Sequence, residues 1–466
     1  MENKKEVVIL GGGSGGLAVA YYLSQTKFYN ITILEKEPVI GGLCASFDHQ
    51  GFKLDYGAHK LYSTLPGIMD EIEKIFDGHI LKLPKKNKIF LRHDLLAYPL
   101  KLSNLTKVLG FFELFKLGLG FGLQQIKNLI NPKTAHSYED YMISRFGSPA
   151  YKLVFEPLAN KVWGNPAGLH LDMAKTRVPA SNAMEVILKL LGIKKETANT
   201  NAEFFLYPNH AFGEFAEKMK EKIEQAGGKI ITSVQIKEIS MKDNQITAIK
   251  YTQKDIEQLL SCDYLVSTIP LPSFFHMLFS KEIEKLESRN LVLVYIFANR
   301  DLILNDQWIF FPEKEFIFSR IFEQKQMDPN LGPKNQTVIC CDFTCDKNSN
   351  IWQSPDNKLA DKCIEGLIKA GFIRKEEVKS FLVKRFDDFY PRYGLDYDKK
   401  LSAIINVLKK TNNVLLSGRS GMYNYNNCDH CLDMALFIKN KLVEQTPPPK
   451  ILEELLERVK NYKIVD

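Results

Sequence analysis

The sequence of 466 residues lacks an apolar run long enough to span a membrane. Its most apolar window, 108-VLGFFELFKLGLGFGLQQIKNLI-130, contains Glu113, Lys116 and several glycines, whereas a spanning helix needs ~20 apolar residues. The window predicts a buried or amphipathic helix, with contact with a membrane surface or a lipid-linked substrate as the alternative. The opening residues, MENKKEVVIL, contain no apolar leader, so we do not expect export.

Dense basic tracts are also missing. The 62 Lys and Arg residues are nearly balanced by 55 Asp and Glu, for a net charge of +7. This predicts no nucleic-acid partner and favours a basic patch for an anionic small molecule. The eight cysteines are scattered, which indicates reduced thiols in a cytoplasmic protein rather than a disulfide framework. Cys428 and Cys431 have the spacing of a redox or zinc motif but no second pair, so we expect buried, inert thiols and no metal.

A dinucleotide fingerprint is present near the start. KEVVIL, GGGSGG, LAVAYYLSQ and NITILEK read as strand, glycine turn, helix and strand. Gly11, Gly13 and Gly16 match G-x-G-x-x-G: they allow a tight turn, close approach of backbone to a pyrophosphate, and packing of helix on strand. Ser14 opens the helix, where phosphates bind. Glu35 ends the second strand, where a carboxylate can accept hydrogen bonds from a ribose.

The residues that follow decide the cofactor. The segment 35-EKEPVIGGLCASFDHQGFKLDYGAHKLY-62 resembles the FAD-binding start of the flavoprotein group that contains amine oxidases, protoporphyrinogen oxidase, phytoene desaturases and UDP-galactopyranose mutase. The resemblance implies non-covalent FAD, with Glu35, Lys36, Gly41 and Gly42 around its ADP half. It places His59 near the flavin as a proton shuttle or hydrogen-bond partner. Further along the chain it implies cofactor contacts at Val234, Gly418 and Asp429.

Motifs in the remaining chain resemble the UDP-galactopyranose mutase family most closely. They are KVWG at 161–164, Arg177 before Val-Pro, Arg320 in IFSRIF, and 418-GRSGMYNYNNCDH-430. The resemblance implies that His59, Arg320 and Arg419 are catalytic. It implies substrate binding by Trp163, Arg177, Arg320, Tyr423 and Tyr425. For Trp163, a place in the hydrophobic core is an equally weighted alternative to stacking on the substrate. The guanidinium groups of arginine and the hydroxyl groups of tyrosine can donate hydrogen bonds to the phosphate oxygens of a nucleotide diphosphate sugar.

The implied reaction is a pyranose–furanose isomerisation that uses N5 of the reduced flavin, as in the synthesis of cell-surface glycans. Three departures keep alternatives open. Ser181 stands where the mutases have a second arginine, Asn427 replaces an aspartate, and 265-LVSTIPLP-272 is closer to protoporphyrinogen oxidase and the desaturases. The alternatives are an FAD-dependent oxidoreductase of that type, a lipid-linked sugar as substrate, and a flavoprotein that has lost catalysis. Peripheral membrane contact and a homodimer also remain open.

The resemblance implies an α/β fold of several domains. A Rossmann-like FAD domain of the glutathione-reductase type is expected from residues 1–66, 205–270 and 405–445. A helical insert is expected at 96–200, and an antiparallel β-sheet substrate domain from 67–95 and 271–400. Runs 291–298, 308–311, 316–322 and 337–344 are rich in β-branched and aromatic residues and predict strands of that sheet. A helical tail at 446–466 is expected to dock on the surface or on a neighbour.

Overall fold

The strand before the glycine turn lies in the centre of a five-stranded parallel sheet. A computed structural model describes residues 4–97, 102–131, 134–176 and 203–464; Arg177 and Ser181 lie outside these ranges. Residues 7–10 are almost completely buried, as expected for a parallel strand that is covered on both faces. In spatial order the strands are β19 (Val414–Leu416), β13 (Tyr264–Ser267), β1 (Lys5–Leu10), β2 (Tyr29–Leu34) and β9 (Lys229–Ile231).

Helices from both ends of the chain pack on this sheet. Helix α1 (Ser14–Ser24) contacts α8 (Glu214–Gln225) and α14 (Cys428–Val443). Its residues 15–24 are all buried, so α1 forms the centre of this layer. The other helices around the sheet are α2 (Ile68–Ile75), α9 (Leu271–Phe279), α12 (Tyr397–Leu408), α13 (Gly418–Gly421) and α15 (Pro448–Val459).

A second, seven-stranded sheet is mainly antiparallel. Its longest strands, β14 and β18, pair along most of their length, and only β15 and β6 run parallel. In spatial order the strands are β18 (Val378–Arg392), β14 (Glu287–Ala298), β17 (Thr337–Cys345), β16 (Arg320–Glu323), β15 (Trp308–Phe310), β6 (Asn87–Leu91) and β7 (Asp94–Ala97). Helices α10 (Asn350–Gln353) and α11 (Asp356–Lys369) precede β18. The mixed α/β fold agrees with the prediction from the sequence.

The strand predicted at 316–322 begins only at Arg320. Phe316 and Phe318 are buried, and their rings lie 5.0 and 4.8 Å from the ring of Phe311. The side chains thus alternate as in a strand, but the backbone N–H of Phe316 donates to the carbonyl of Glu313 at 3.4 Å, so a turn replaces strand pairing at the start of this segment. The smaller sheets are formed by β10 (Val234–Lys242), β11 (Gln245–Gln253) and β12 (Ile256–Ser261), by β3 (Ser46–His49) with β4 (Phe52–Asp55), and by β5 (Leu81–Pro84) with β8 (Phe204–Tyr207).

A group of helices follows β7 in the first half of the chain. Helix α3 (Leu102–Ile130) is interrupted at Gly110, whose φ of 71° and ψ of 165° are not helical. Among the residues described, none of the helices is long and apolar enough to cross a bilayer. The helices after it are α4 (Tyr138–Phe146), α5 (Ser148–Ala150), α6 (Glu156–Trp163) and α7 (Asp172–Lys175), with a π-helical turn at Tyr151–Phe155.

The C-terminal helix docks on its own chain. Arg458 forms a two-point ion pair with Asp433 at 2.6 Å, and the hydroxyl of Tyr462 donates to the same carboxylate. The backbone N–H of Ile464 donates to the carbonyl of Thr176 at 2.8 Å. The tail predicted as helical therefore connects α14 to the end of the helical group.

Candidate functional site

The glycine turn leaves open space at the start of α1. Gly11 has a φ of 98°, and a Cβ atom on Gly16 would lie 1.9 Å from the carbonyl oxygen of Gly11. A Cβ atom on Gly13, in contrast, would have no atom within 4 Å. Gly11 and Gly16 are therefore required by the protein's own backbone, whereas Gly13 borders space in front of a helix N-terminus, where a phosphate is stabilised.

Glu35 fixes this turn. Its carboxylate is 8% exposed and accepts hydrogen bonds from the N–H groups of Gly12, at 2.6 Å, and Glu37, at 2.8 Å. Each carboxylate oxygen has a second lone pair, which leaves capacity for a ribose hydroxyl. The backbone N–H of Val234 donates to the carbonyl of Glu35 at 3.1 Å, so Val234 lies beside it. Lys36 points to solvent, with 81% of its side chain exposed.

The second glycine pair and the C-terminal motif meet the turn. The N–H of Gly41 donates to the carbonyl of Gly12 at 2.8 Å, and a Cβ atom on Gly42 would approach only the Cα of Gly13. A Cβ atom on Gly15 would lie 2.7 Å from the Cα of Gly418. The open space beside Gly13 and the acceptor Glu35 fit the pyrophosphate and ribose of a dinucleotide such as FAD.

Two further predicted cofactor residues lie around this cradle. The hydroxyl of Ser14, at the start of α1, points to the sulfur of Cys431 at 3.6 Å. Asp429, in the first turn of α14, is buried and accepts a hydrogen bond from the hydroxyl of Ser63 at 2.8 Å. The carboxylate of Asp429 thus connects α14 to the loop that follows His59.

A buried polar network holds the turn that carries His59. Asp55 is fully buried, and its carboxylate accepts hydrogen bonds from the hydroxyls of Tyr207 (2.5 Å) and Ser46 (2.7 Å) and from the N–H of Phe212 (2.9 Å). Gln324 donates to the hydroxyl of Tyr207 and accepts from the N–H of Asp55. These bonds fix the strand end directly before residues 56–59, because an unsatisfied buried group is costly.

His59 is neutral at physiological pH. Desolvation, together with the positive charges of Arg320 and Arg419, lowers its pKa from the usual value to about 4. The ring stacks on Phe212 at 4.7 Å, and its Nδ1 atom lies 3.2 Å from the carbonyl of Gly57. The effect on this pKa shows that both predicted arginines act on the space around one imidazole.

Arg320 is oriented by an ion pair across two strands. Its Nε and Nη2 atoms contact the carboxylate of Asp342 at 2.7 and 2.6 Å. The two residues are direct cross-strand partners in β16 and β17. Arg320 remains partly exposed, with 24% of its side chain accessible, whereas the side chain of Asp342 is only 9% accessible.

Arg419 lies among aromatic rings. Its guanidinium donates to the carbonyl of Asn426 at 2.9 and 2.7 Å. The rings of Phe389, Tyr390 and Tyr425 surround it, with centroids 5.1–5.6 Å from its central carbon. Tyr390 and Tyr425 stack at 5.2 Å. Burial raises the pKa of Tyr390, and the positive charges of Arg419 and Arg320 both counteract this effect.

The other predicted substrate residues lie differently. Trp163 is 3% exposed and packs against Tyr138 and Tyr425, which favours its core position over an open stacking face. The hydroxyl of Tyr423 is close to the carbonyls of Glu287 and Arg392. Tyr425 thus joins the arginine site, while Tyr423 braces the backbone of β14 and β18.

Four residues of the site were not predicted from the sequence. Asp342, Tyr390 and the carbonyl of Asn426 position the arginines, and Asp55 anchors the turn before His59. Asp55 and Asn426 lie inside the segments 35–62 and 418–430, which carry the family resemblance, so those segments contained the signal. The side-chain nitrogen of Asn426 is buried and has no hydrogen-bond partner among the described residues, which marks it as a further donor for a ligand.

Asn427, which stands where the mutases have an aspartate, stabilises the start of a helix together with His430. The backbone N–H of Asn427 donates to Nδ1 of His430 at 3.0 Å, so the ring of His430 is the acceptor that the third helical residue supplies in a capping box. The ring of His430 stacks on Tyr462 at 4.4 Å. These residues begin α14 and seat the C-terminal tail.

Comparison with known proteins identifies a family and a shared fold. A family model described as flavin containing amine oxidoreductase matches residues 14–428. A solved structure of reduced UDP-galactopyranose mutase superposes with a TM-score of 0.83 at 18% identity, covering 98% of this chain and 99% of that one. A putative protoporphyrinogen oxidase from Exiguobacterium sp. 255-15 gives a TM-score of 0.72 at 19% identity, covering 95% and 99%. At these identities the likeness concerns the fold.

The sequence relatives match over shorter stretches. A phytoene desaturase of Cercospora nicotianae is 36% identical over 61 residues, which are 13% of this chain. The match covers 9% of the length of that desaturase. An all-trans-retinol 13,14-reductase of Danio rerio is 29% identical over 100 residues, which are 18% of this chain and 16% of the reductase.

Proposed function

The chain belongs to the flavin containing amine oxidoreductase family, whose cofactor is FAD, and from this premise we propose that it acts on a nucleotide diphosphate sugar. The proposed reaction is a pyranose–furanose isomerisation that requires reduced flavin and leaves no net redox change. The observation that supports the proposal is that Arg320 and Arg419, each held by a fixed acceptor, both contribute positive charge that lowers the pKa of His59.

Two arginines in one partly desolvated site suit a diphosphate. A guanidinium can donate two parallel hydrogen bonds to phosphate oxygens, and its charge is little screened where water is excluded. Asp342 and the carbonyl of Asn426 fix the direction of each guanidinium. Tyr390, which is only partly buried and stacks on the buried Tyr425, would supply an aromatic face to a nucleotide or sugar ring.

The protein's own residues would bind and orient the substrate. Arg320 and Arg419 would stabilise negative charge on the departing diphosphate. Neutral His59, with Nδ1 directed at Gly57, would present Nε2 as a hydrogen-bond partner without adding charge. When bound at the glycine cradle, reduced FAD supplies the nucleophilic chemistry at the anomeric carbon.

The test uses FAD-loaded protein under anaerobic conditions with a panel of UDP- and GDP-sugars. Dithionite-reduced protein is expected to convert one sugar to its furanose isomer, seen by chromatography, and oxidised protein is expected to be inactive. Arg320→Ala should abolish conversion. Arg385→Ala is the matched control, because Arg385 has the same 24% side-chain exposure and an ion pair to Asp356. The proposal fails if no nucleotide sugar is isomerised and none of them changes the flavin spectrum.

A second candidate is an oxidoreductase of the desaturase type. The specific observation in its favour is that the sequence relatives with the higher identity are desaturases. In the same anaerobic assay this activity would bleach oxidised flavin on addition of substrate and would consume an external electron acceptor. Net flavin reduction with a substrate that lacks a diphosphate would therefore replace the first proposal by the second.

A further inference from the structure

Helix α3 exposes a continuous apolar stripe after the break at Gly110. Eight large apolar side chains are each between 52% and 86% exposed. Their spacings of three and four residues place most of them on one side of the helix. We call this surface the α3 face; it consists of Phe111, Phe112, Phe115, Leu119, Leu123, Ile126, Leu129 and Ile130.

The opposite side of α3 is fixed to the protein. Leu114 and Leu117 pack against the small core formed by Ile89, Leu91, Leu96 and Leu109. A Cβ atom on Gly120 would lie 2.5 Å from Pro149, so the helix backbone approaches α5 closely. The side-chain nitrogen of Asn128 donates to the carbonyl of Ser144 at 2.8 Å. The rotation of α3 is therefore set by packing, and the apolar stripe must face outward.

The α3 face is large for a surface without a partner. With full aromatic side chains of about 150–250 Å², the exposed residues amount to on the order of 900 Å², above the ~300–600 Å² typical of the largest patch on a monomer. Since apolar area exposed to water is unfavourable at about 25 cal/mol per Å², such a surface indicates a binding partner.

The charge around the face favours anionic lipid over a second copy of the chain. Lys116 and Lys127 are exposed on the same helix. Its acidic residue, Glu113, is already paired with Arg92 at 2.6 Å. Two copies packed through this face would bring lysines together without carboxylates to compensate them, which is unfavourable. Anionic headgroups compensate lysines directly.

We propose that the α3 face docks the enzyme on a bilayer that contains anionic lipid. The helix would lie in the plane of the interface, with its phenylalanines and leucines at the boundary between headgroups and acyl chains. The lysines would contact lipid phosphates. This docking is independent of which reaction the flavin site performs.

The experiment is co-sedimentation of FAD-loaded protein with vesicles. Vesicles of phosphatidylcholine with about one third phosphatidylglycerol should bind the protein, pure phosphatidylcholine should bind it weakly, and added salt should reduce binding. The triple variant Phe111→Ser, Phe112→Ser, Phe115→Ser should lose at least about tenfold in affinity. Ile256→Ser with Leu259→Ser is the matched control, because both residues are exposed apolar side chains on β12.

Two further measurements keep the inference testable if the triple variant folds poorly. Lys116→Glu with Lys127→Glu should remove the preference for anionic vesicles while flavin content is retained. In the Leu119→Trp variant, tryptophan emission should shift to shorter wavelength when vesicles are added. The inference is overturned if wild-type protein does not bind vesicles, if the charge variant binds equally well, or if the face instead supports a dimer that the triple variant dissociates.

Discussion

The guanidinium of Arg320 and the carboxylate of Asp342 meet through two contacts on neighbouring strands. Asp342 is 6% exposed, so the ion pair is shielded from solvent on the carboxylate side. The direction of Arg320 is consequently set by the register of β16 on β17 before any ligand binds. This pre-orientation reduces the entropy that a substrate would otherwise lose on binding.

Asp342→Asn should therefore weaken substrate binding without loss of FAD. The amide keeps the size of the side chain but removes the charge that holds the guanidinium, and a charged hydrogen bond contributes about 1.5–3 kcal/mol. We expect the KM for the nucleotide sugar to rise by roughly tenfold or more. Arg320→Lys should raise the KM at least as much, because a lysine ammonium lacks the planar, forked donors with which a guanidinium contacts Asp342 and a diphosphate at the same time. Unchanged kinetics in both variants would contradict a role in substrate binding.

Gly13→Ala and Gly15→Ala should separate cofactor binding from folding. The added methyl group at Gly13 meets no protein atom, so the variant should fold normally and lose bound FAD, because the methyl occupies the space for the pyrophosphate. The methyl group at Gly15 would collide with the backbone of Gly418, so that variant should also be less stable. Flavin absorbance per protein and thermal unfolding measure the two effects. A yellow Gly13→Ala protein would show that the cradle is not where the cofactor binds.

The lowered pKa of His59 predicts acid sensitivity. Its pKa is about 4 in the folded state and ~6.5 when unfolded. Between these values the unfolded chain binds more protons, so stability is present above pH ~6.5 and decreases as the pH falls towards 4. Urea midpoints measured over this range should show a smaller pH dependence in His59→Gln. An identical pH dependence in wild type and variant would mean that His59 is not desolvated.

His430 should stabilise the start of α14. His430→Ala removes the acceptor for the N–H of Asn427 and the ring stacked on Tyr462, and we expect a loss of about 1–3 kcal/mol. His430→Gln keeps an acceptor of the capping-box type and should lose less. Denaturant titration of the FAD-loaded proteins measures both. Because His430 supports the helix, turnover per bound flavin should stay close to wild type; a selective loss of turnover would assign it to the reaction instead.

Local patterns were sufficient to predict the strand, glycine turn, helix and strand at the start of the chain. Gly11, Gly13 and Glu35 lie within one strand–turn–helix–strand unit, so their arrangement follows from sequence spacing. The partners of the arginines could not be predicted in this way, because Asp342 meets Arg320 through strand register and Tyr390 reaches Arg419 from β18. The position of Trp163 was undecided for the same reason: its neighbours Tyr138 and Tyr425 come from distant segments. The sequence also predicted an amphipathic or buried α3 but not that one face would remain uncovered.

The contact between Gly15 and Gly418 has a consequence for biosynthesis. About four hundred residues separate the two glycines, and chains of this size are made from the N-terminus at roughly 5–20 residues per second. A nascent chain therefore displays its glycine turn for tens of seconds before the segment that completes it leaves the ribosome. Flavin capture would then be among the last events in the maturation of this protein, and a chain that stalls before Gly418 would remain colourless.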